Sequence, residues 1–348
     1  MVRVDRVGDR QFDPLSRGKR SIALNLKSAA GLATLLRMAE RADVLIEPFR
    51  PGVMEKLGLG PDVLLRRNAR LVYARLSGYG QTGPKAQLAG HDMNYLSGVG
   101  MLEPFGQRGG RPVFVSNLVA DFAGGGLMCA YGIALALVER HASGRGQVVD
   151  AGMSDGAAYV GAFVAHSRDM LFGAPRGENM LDSGAHFYDT YETKDGKFLA
   201  VGAIEPKFYA ELLRVLELEL PYDQMDADKW PEMKQLLAAR IKQRTRDEWA
   251  ALFDGVEACT TPILALDEAA ADAHNQHRGT FLANGEVASA PRMSRTAGYG
   301  ASDAVRERPQ SGQHTVSVLK EFGFSATDIS KLLEEGAAQT SEETSAKL

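Results

Sequence analysis

The sequence predicts an α/β protein with a large domain on a parallel, Rossmann-like sheet and a second, smaller α+β domain. Three observations carry this. From Arg17 onward, short Leu-, Ile- and Val-rich runs alternate with segments of helical apolar spacing, the pattern of strands joined by crossover helices. Near the middle, one acid and three glycines, Asp121-Phe-Ala-Gly-Gly-Gly126, open a long apolar helix. Past residue 187 the pattern turns into a hairpin and a series of amphipathic helices.

Taken in order, Met1-Val-Arg-Val-Asp5-Arg6 has the alternation of a strand end. Residues 21–26 predict a strand, 29–42 a helix, and 43–47 a second strand running into the Pro-Phe-Arg-Pro-Gly turn at 48–52. Pro61 opens a short helix, and 71–76 form the next strand, closed by the glycine-rich stretch 77–84. Ligands on such sheets bind outside the carboxyl ends of the strands, where these loops lie. Residues 144–150 predict a strand feeding the apolar segment 151–171. Lys194-Asp-Gly196 joins the runs 187–191 and 197–201 as a hairpin. Helices follow at 207–217, 230–243 and 246–253, a strand at 261–264, and a helix from Asp267. Residues 291–312 read as irregular, and short helices at 314–322 and 326–335 end the fold. The division is a large domain 1–153, a helical linker 154–186, a small domain 187–291, and a segment 292–348 returning to the large domain with a polar tail.

Composition narrows the function classes. With 45% apolar and 24% charged residues over 348 positions, the chain can bury a sizeable core. A net charge of −4 supplies no field for nucleic acid or an anionic membrane. The longest apolar run, 127–138, falls short of the roughly 20 residues that cross a bilayer, so a soluble chain without a span is expected. The two cysteines, Cys129 and Cys259, read as buried thiols of a reducing compartment. Neither a Gly-x-Gly-x-x-Gly after a strand nor a phosphate-loop lysine motif is present, which disfavours nicotinamide and nucleotide-triphosphate chemistry.

Three ionisable residues stand at loop edges. Asp121 faces the glycines, where a plain helix cap with close helix packing competes with an anion-binding role. His91 lies between Gly90 and Asp92 at a loop-to-helix junction, and Glu205 precedes Pro206 at another; each would equally serve as a cap. Two such groups on opposite sides of one carbon, with a third orienting the histidine, suit paired proton transfers. The cations Arg6, Arg17, Lys19, Arg20 and Lys27 flank the first strands, either as solvated charge or as a pyrophosphate cradle.

The phrases Arg17-Gly-Lys-Arg20, Glu47-Pro-Phe-Arg50, Tyr73-Ala-Arg-Leu-Ser-Gly-Tyr-Gly80, Gly90-His-Asp-Met-Asn-Tyr95, Leu118-Val-Ala-Asp-Phe-Ala-Gly-Gly-Gly126, Asn179-Met-Leu-Asp182 and Val201-Gly-Ala-Ile-Glu-Pro206 occur in this order along nearly the whole chain. They resemble those of the α-methylacyl-CoA racemases, within the family III CoA-transferases (the CaiB-BaiF family). The resemblance implies that His91 and Asp121 are the acid/base pair and that Glu205 hydrogen-bonds the histidine. It implies CoA-thioester contacts from Arg6, from Leu24, Asn25, Leu26 and Lys27, and from Gly90, His91, Asp92, Met93, Asn94 and Tyr95. It further implies an interlocked homodimer in which Glu205 comes from the partner. The implied reaction interconverts (2R)- and (2S)-2-methylacyl-CoA through an enolate, in branched fatty-acid and bile-acid metabolism. No metal and no separate cofactor are expected, CoA being part of the substrate.

The alternatives are a CoA-transferase with Asp121 as nucleophile, and an inactive truncated form. The second arises because family members carry an additional strand, a Gly/Pro-rich turn and a helix ahead of the residues matching Val2–Arg6, so that one βα unit of the large domain is expected to be missing. A smaller departure is Ser183-Gly-Ala-His186, where the racemases have Gly-Gly-Ala-Pro; His186 would perturb the site or sit on its rim. The terminal Ala346-Lys347-Leu348 resembles a peroxisomal import address on a polar tail, making the import receptor a partner, with the mitochondrion as a second compartment.

Overall fold

A computed structural model describes residues 1–9, 13–296, 298 and 308–341. Strand β1 (Val2–Arg6) and β2 (Arg20–Leu24) are followed by helix α1 (Ala29–Ala39), which Ser28 caps by accepting the Gly31 N–H. Next come β3 (Val44–Glu47), α2 (Val53–Lys56), α3 (Pro61–Arg67) with proline in its first turn, and β4 (Val72–Ser77). Helix α4 (Asp92–Gly98) is short, and Leu118–Leu127 is a π-helix continuous with α5 (Met128–Ser143). Gly144, in the left-handed region, ends α5 and leads to β5 (Val148–Gly152). The apolar segment after it breaks into α6 (Met153–Val160), α7 (Ala162–His166) and α8 (Arg168–Leu171). Strands β6 (Tyr188–Glu192) and β7 (Phe198–Gly202) form the expected hairpin. They precede α9 (Pro206–Leu216), α10 (Trp230–Ile241), α11 (Arg246–Phe253) and β8 (Thr260–Pro262). The chain closes with α12 (Leu266–Ala269), α13 (Ala273–Arg278), α14 (Thr315–Glu321), α15 (Ala326–Glu334) and β9 (Ala338–Gln339).

Two compact units result. One comprises Met1–Leu88, Gly126–Gly152 and Gln276–Leu348, the other Ala89–Gly125 and Met153–Asn275. This differs from a division by stretches of sequence, since residues 89–125 group with the second unit and the chain rejoins the first at Gln276.

In the first unit, β1 pairs parallel with β2, and β3 with β4 and β4 with β5 likewise. The two-residue β9 adds to β2 antiparallel, making two three-stranded sheets. Ile22, Leu24, Leu64, Leu71 and Tyr73 are buried together with Val318 and Leu319 of α14, so the C-terminal helices complete this core. Glu47 and Arg75, both in strings that carried the resemblance, make a buried ion pair at 2.8 Å. Arg75 also binds Glu55, and the second Glu47 oxygen accepts the Phe49 N–H. A buried pair whose remaining valences are satisfied fixes the strand-end turn at Pro48.

In the second unit the β6-β7-β8 sheet packs on α9, α10 and α11 through Phe187, Tyr209, Leu212, Trp230, Met233 and Trp249. His186 is not on a rim. It is fully buried against Phe187 and Tyr209, with Nε2 2.7 Å from the Tyr209 hydroxyl. Burial, with a smaller contribution from the Lys234 charge, pushes its pKa down to about 4. The folded protein therefore holds the ring neutral while the unfolded chain protonates it below its ordinary value. Stability from this group is intact above pH ~6.5, the unfolded value, and is lost as pH falls toward about 4. After allowance for solvent screening the loss is on the order of 2 kcal/mol. Urea unfolding at both ends of that window should show the loss in the wild type and a flatter dependence in His186→Phe.

Two expectations are corrected. Cys129 is buried, but Cys259 is exposed, at a left-handed turn position (φ +46°) leading into β8. The apolar helix does not stop short: Leu118–Ser143 runs for 26 residues and is long and apolar enough, by length and composition, to cross a membrane. Asp121 and the glycines lie within it and not at its entrance. Leu118, Phe122, Leu127, Tyr131, Leu135 and Val138 are exposed along it. Spacings of four and five in the wider π turn, then four, four and three, align them as one stripe.

Candidate active site

His91 precedes α4 in extended conformation, its carbonyl accepting the Asn94 and Tyr95 N–H groups and its own N–H held by Asn94 Oδ1 at 3.0 Å. The backbone thus fixes the residue while the imidazole, exposed, makes no capping bond. The next residue, Asp92, is 3% exposed and turns inward. Its Oδ2 accepts the backbone N–H groups of Ala120 at 2.6 Å and Asp121 at 3.0 Å. Asp121 is therefore not the cap of its helix. It sits in the first turn of the π-helix, and the cap comes from a carboxylate 29 positions earlier. Burial raises the Asp121 carboxyl above the ordinary aspartate range, reinforced by the charge of Asp92. His91 acts in the opposite direction, which places the imidazole and the carboxyl in one electrostatic neighbourhood, as does a hydrogen bond from Asn117.

Of the three glycines, Gly124 serves packing. A Cβ on Gly124 would lie 2.5 Å from the Ala157 N, and one on Gly156 only 1.8 Å from the Gly124 carbonyl oxygen. The π-helix and α6 touch backbone to backbone there. Inside a π-helix, N–H groups past the first turn are bonded to carbonyls five residues back, so the glycine run does not offer the free donors expected of it. Free donors open α4 instead: the N–H groups of Asp92 and Met93 have no partner among the described residues.

Glu205 precedes Pro206 at the start of α9; its carbonyl accepts the Phe208 and Tyr209 N–H groups, but its exposed carboxylate caps nothing. No hydrogen bond joins it to His91 among the described residues. In the first unit, Arg17 is taken by Glu286, Lys19 by Asp13 at 3.8 Å, and Arg20 by Glu321. Arg6 and Lys27 remain exposed, without side-chain partners among the described residues. Leu24 is a core residue whose backbone pairs with Arg6 and Ala338, so its side chain is closed to a ligand. Asn25 shapes the turn, its Oδ1 accepting the Lys27 N–H at 3.1 Å, with Leu26 packed on the core. Tyr95 bonds the Gly90 carbonyl, while Met93 is 41% exposed. Asn179 and Asp182, also in a resembling string, bond each other and the 174–177 backbone, which closes that loop. Cavities of about 430 Å³ (Met101, Phe172, Arg176) and about 840 Å³ (Trp230, Lys234) include none of His91, Asp121 and Glu205 in their walls.

An imidazole without a hydrogen bond among the described residues, near a carboxyl raised above its ordinary range, is an arrangement suited to proton transfer. Residues 4–315 match the family model of CoA-transferase family III, and the chain belongs to that family. It is 51% identical over 340 residues to alpha-methylacyl-CoA racemase of Mus musculus, covering 95% of this chain and 88% of the relative. The Homo sapiens alpha-methylacyl-CoA racemase is 50% identical over 338 residues, with the same coverage of 95% and 88%. The fold resembles the crystal structure of a CAIB/BAIF family protein from Brucella suis, with a TM-score of 0.79 at 23% identity over 92% of this chain and 91% of that one.

Proposed function

We propose that this protein is a racemase that interconverts the two epimers of 2-methylacyl-CoA thioesters by removing and returning the α-proton. The observation that carries the reading is His91 beside an Asp121 whose carboxyl is raised, in a chain half identical to two racemases. A thioester carbonyl acidifies the neighbouring C–H, and inversion needs a base on one face and an acid on the other. Neutral His91 takes the proton from one epimer while protonated Asp121 supplies one to the opposite face; the roles exchange in reverse. The enolate oxygen meets the N–H groups opening α4, where a fixed donor contributes about 3 kcal/mol. Arg6 and Lys27, without side-chain partners among the described residues, are available to the phosphates of CoA, which is part of the substrate; no separate cofactor enters the reaction.

The Glu205 carboxylate, without a partner among the described residues, and the exposed stripe on the Leu118–Ser143 helix support a homodimer in which a second copy covers the stripe and Glu205 orients the partner's histidine. Peroxisomal import rests on Ala346-Lys347-Leu348, which lies outside the described residues. The test is incubation of a single 2-methylacyl-CoA epimer in D2O with no acceptor acid. Deuterium at the α-carbon together with inversion supports the reading. Acyl transfer that depends on an added carboxylate, without exchange, overturns it in favour of a transferase with Asp121 as nucleophile.

A further inference from the structure

Asp92 is an unusual buried carboxylate. It is 3% exposed, one oxygen is shared by two neutral backbone N–H groups, and the other, Oδ1, is buried without a hydrogen bond among the described residues. No ion pair compensates it among those residues. An asparagine could accept the same two N–H groups at a far smaller desolvation cost. What the carboxylate adds is charge, directed at the residue whose backbone it holds.

We propose that Asp92 is a positioning residue for Asp121: its carboxylate anchors the start of the π-helix through the Ala120 and Asp121 N–H groups and sets a negative charge beside the Asp121 carboxyl. This rests on the racemase reading above. One side chain, adjacent to His91 in sequence and bonded to the backbone of Asp121, thus couples the two groups that exchange protons with substrate. The charged and polar groups acting on Asp121 are Asp92 and His91 from the start of α4 and Asn117 from the segment before the π-helix. Helix α6 meets the π-helix through Gly156, and its exposed Asp155 is not among the charges acting there.

The sign follows from the proton count. The working enzyme carries one proton on the His91–Asp121 pair, and the acid limb of the rate profile marks loss of the second proton from the pair. Removing the negative charge of Asp92 lowers the affinity of Asp121 for its proton, so the acid limb moves to lower pH. It also depletes the form with neutral imidazole and protonated carboxyl. Because the equilibrium between epimers is fixed, kcat/KM falls by the same factor in both directions.

The experiment is Asp92→Asn in the full chain, assayed by α-deuterium exchange and inversion over a pH series. The expected result is an acid limb lower by about one pH unit and a neutral-pH kcat/KM reduced about tenfold. An acid limb where the wild type has it overturns the proposal, since the amide preserves the cap. A readout independent of turnover is the 13C titration of the Asp121 carboxyl, assigned by its disappearance in Asp121→Asn. A downward shift in Asp92→Asn supports the proposal and an unmoved titration overturns it, whether or not the thioester is racemised. If Asp92→Asn does not fold, Asp92→Ser, whose hydroxyl oxygen can also accept a backbone N–H, takes its place: a lowered Asp121 titration supports the proposal and an unmoved one overturns it.

Discussion

Asp121→Asn is expected to lower epimer interconversion about 10³-fold in both directions, the scale of losing one positioned acid/base group. The amide is nearly isosteric and leaves the backbone N–H to Asp92 in place, but it neither gives nor takes a proton. Its consequence is asymmetric in a way that separates chemistry from damage. His91 remains able to remove the α-proton of one epimer and return a deuteron to the same face, so that epimer should still exchange with retention while the other does not. His91→Ala should show the mirror pattern, with exchange confined to the opposite epimer. Chiral analysis of the recovered thioester with mass measurement of the α-carbon reads both. Inversion at the wild-type rate in Asp121→Asn would remove Asp121 from the reaction.

How much of this was legible in the sequence follows from how local each signal is. Strands β2, β3 and β4 and the β6-β7 hairpin emerge where expected, within a residue or two, because alternation, Pro61 and the Lys194-Asp-Gly196 turn act over a few neighbours. Helix α11 matches end to end, since Thr245 and Glu248 form a complete capping box. Strand β9 was invisible: two residues become a strand only because β2 lies beside them. The π-helix was equally hidden, since an acid followed by glycines reads as a helix entrance, and only its backbone contact with α6 gives Gly124 its meaning. His91 and Asp121 could be named as the acid/base pair from the resemblance, which gave Asp92 only as a CoA-thioester contact. Asp92 looks like an ordinary first-turn acid, and its inward turn depends on N–H groups nearly thirty positions away. Leu24 shows the reverse error, a position near a ligand loop whose side chain belongs to the core. Of the five N-terminal cations, the three already paired were indistinguishable in sequence from Arg6 and Lys27, because their carboxylate partners are remote or separated by turns.

The same backbone contact sets the second large effect. Gly156→Ala adds one methyl group, which would lie 1.8 Å from the Gly124 carbonyl oxygen and 2.6 Å from its carbon. Neither is a side chain that could rotate away, so α6 and the π-helix must separate. Overpacking of this kind costs about 3 kcal/mol, and a lower urea midpoint at unchanged slope would register it. Activity should fall beyond the loss of folded protein. The π-helix is held at its first turn, Asp121 included, by Asp92 and one turn on by Gly156. Moving one of them shifts the carboxyl relative to His91, and a displacement of about 1 Å at a reacting group can cost 10²-fold in rate. Gly124→Ala strains the reciprocal contact, where its Cβ would meet the Ala157 N at 2.5 Å. Because both substitutions are relieved by the same separation, the double variant should lose less than the sum of the singles. Additive losses, or a Gly156→Ala chain with wild-type kcat under fully folded conditions, would show that Asp121 is held by Asp92 alone.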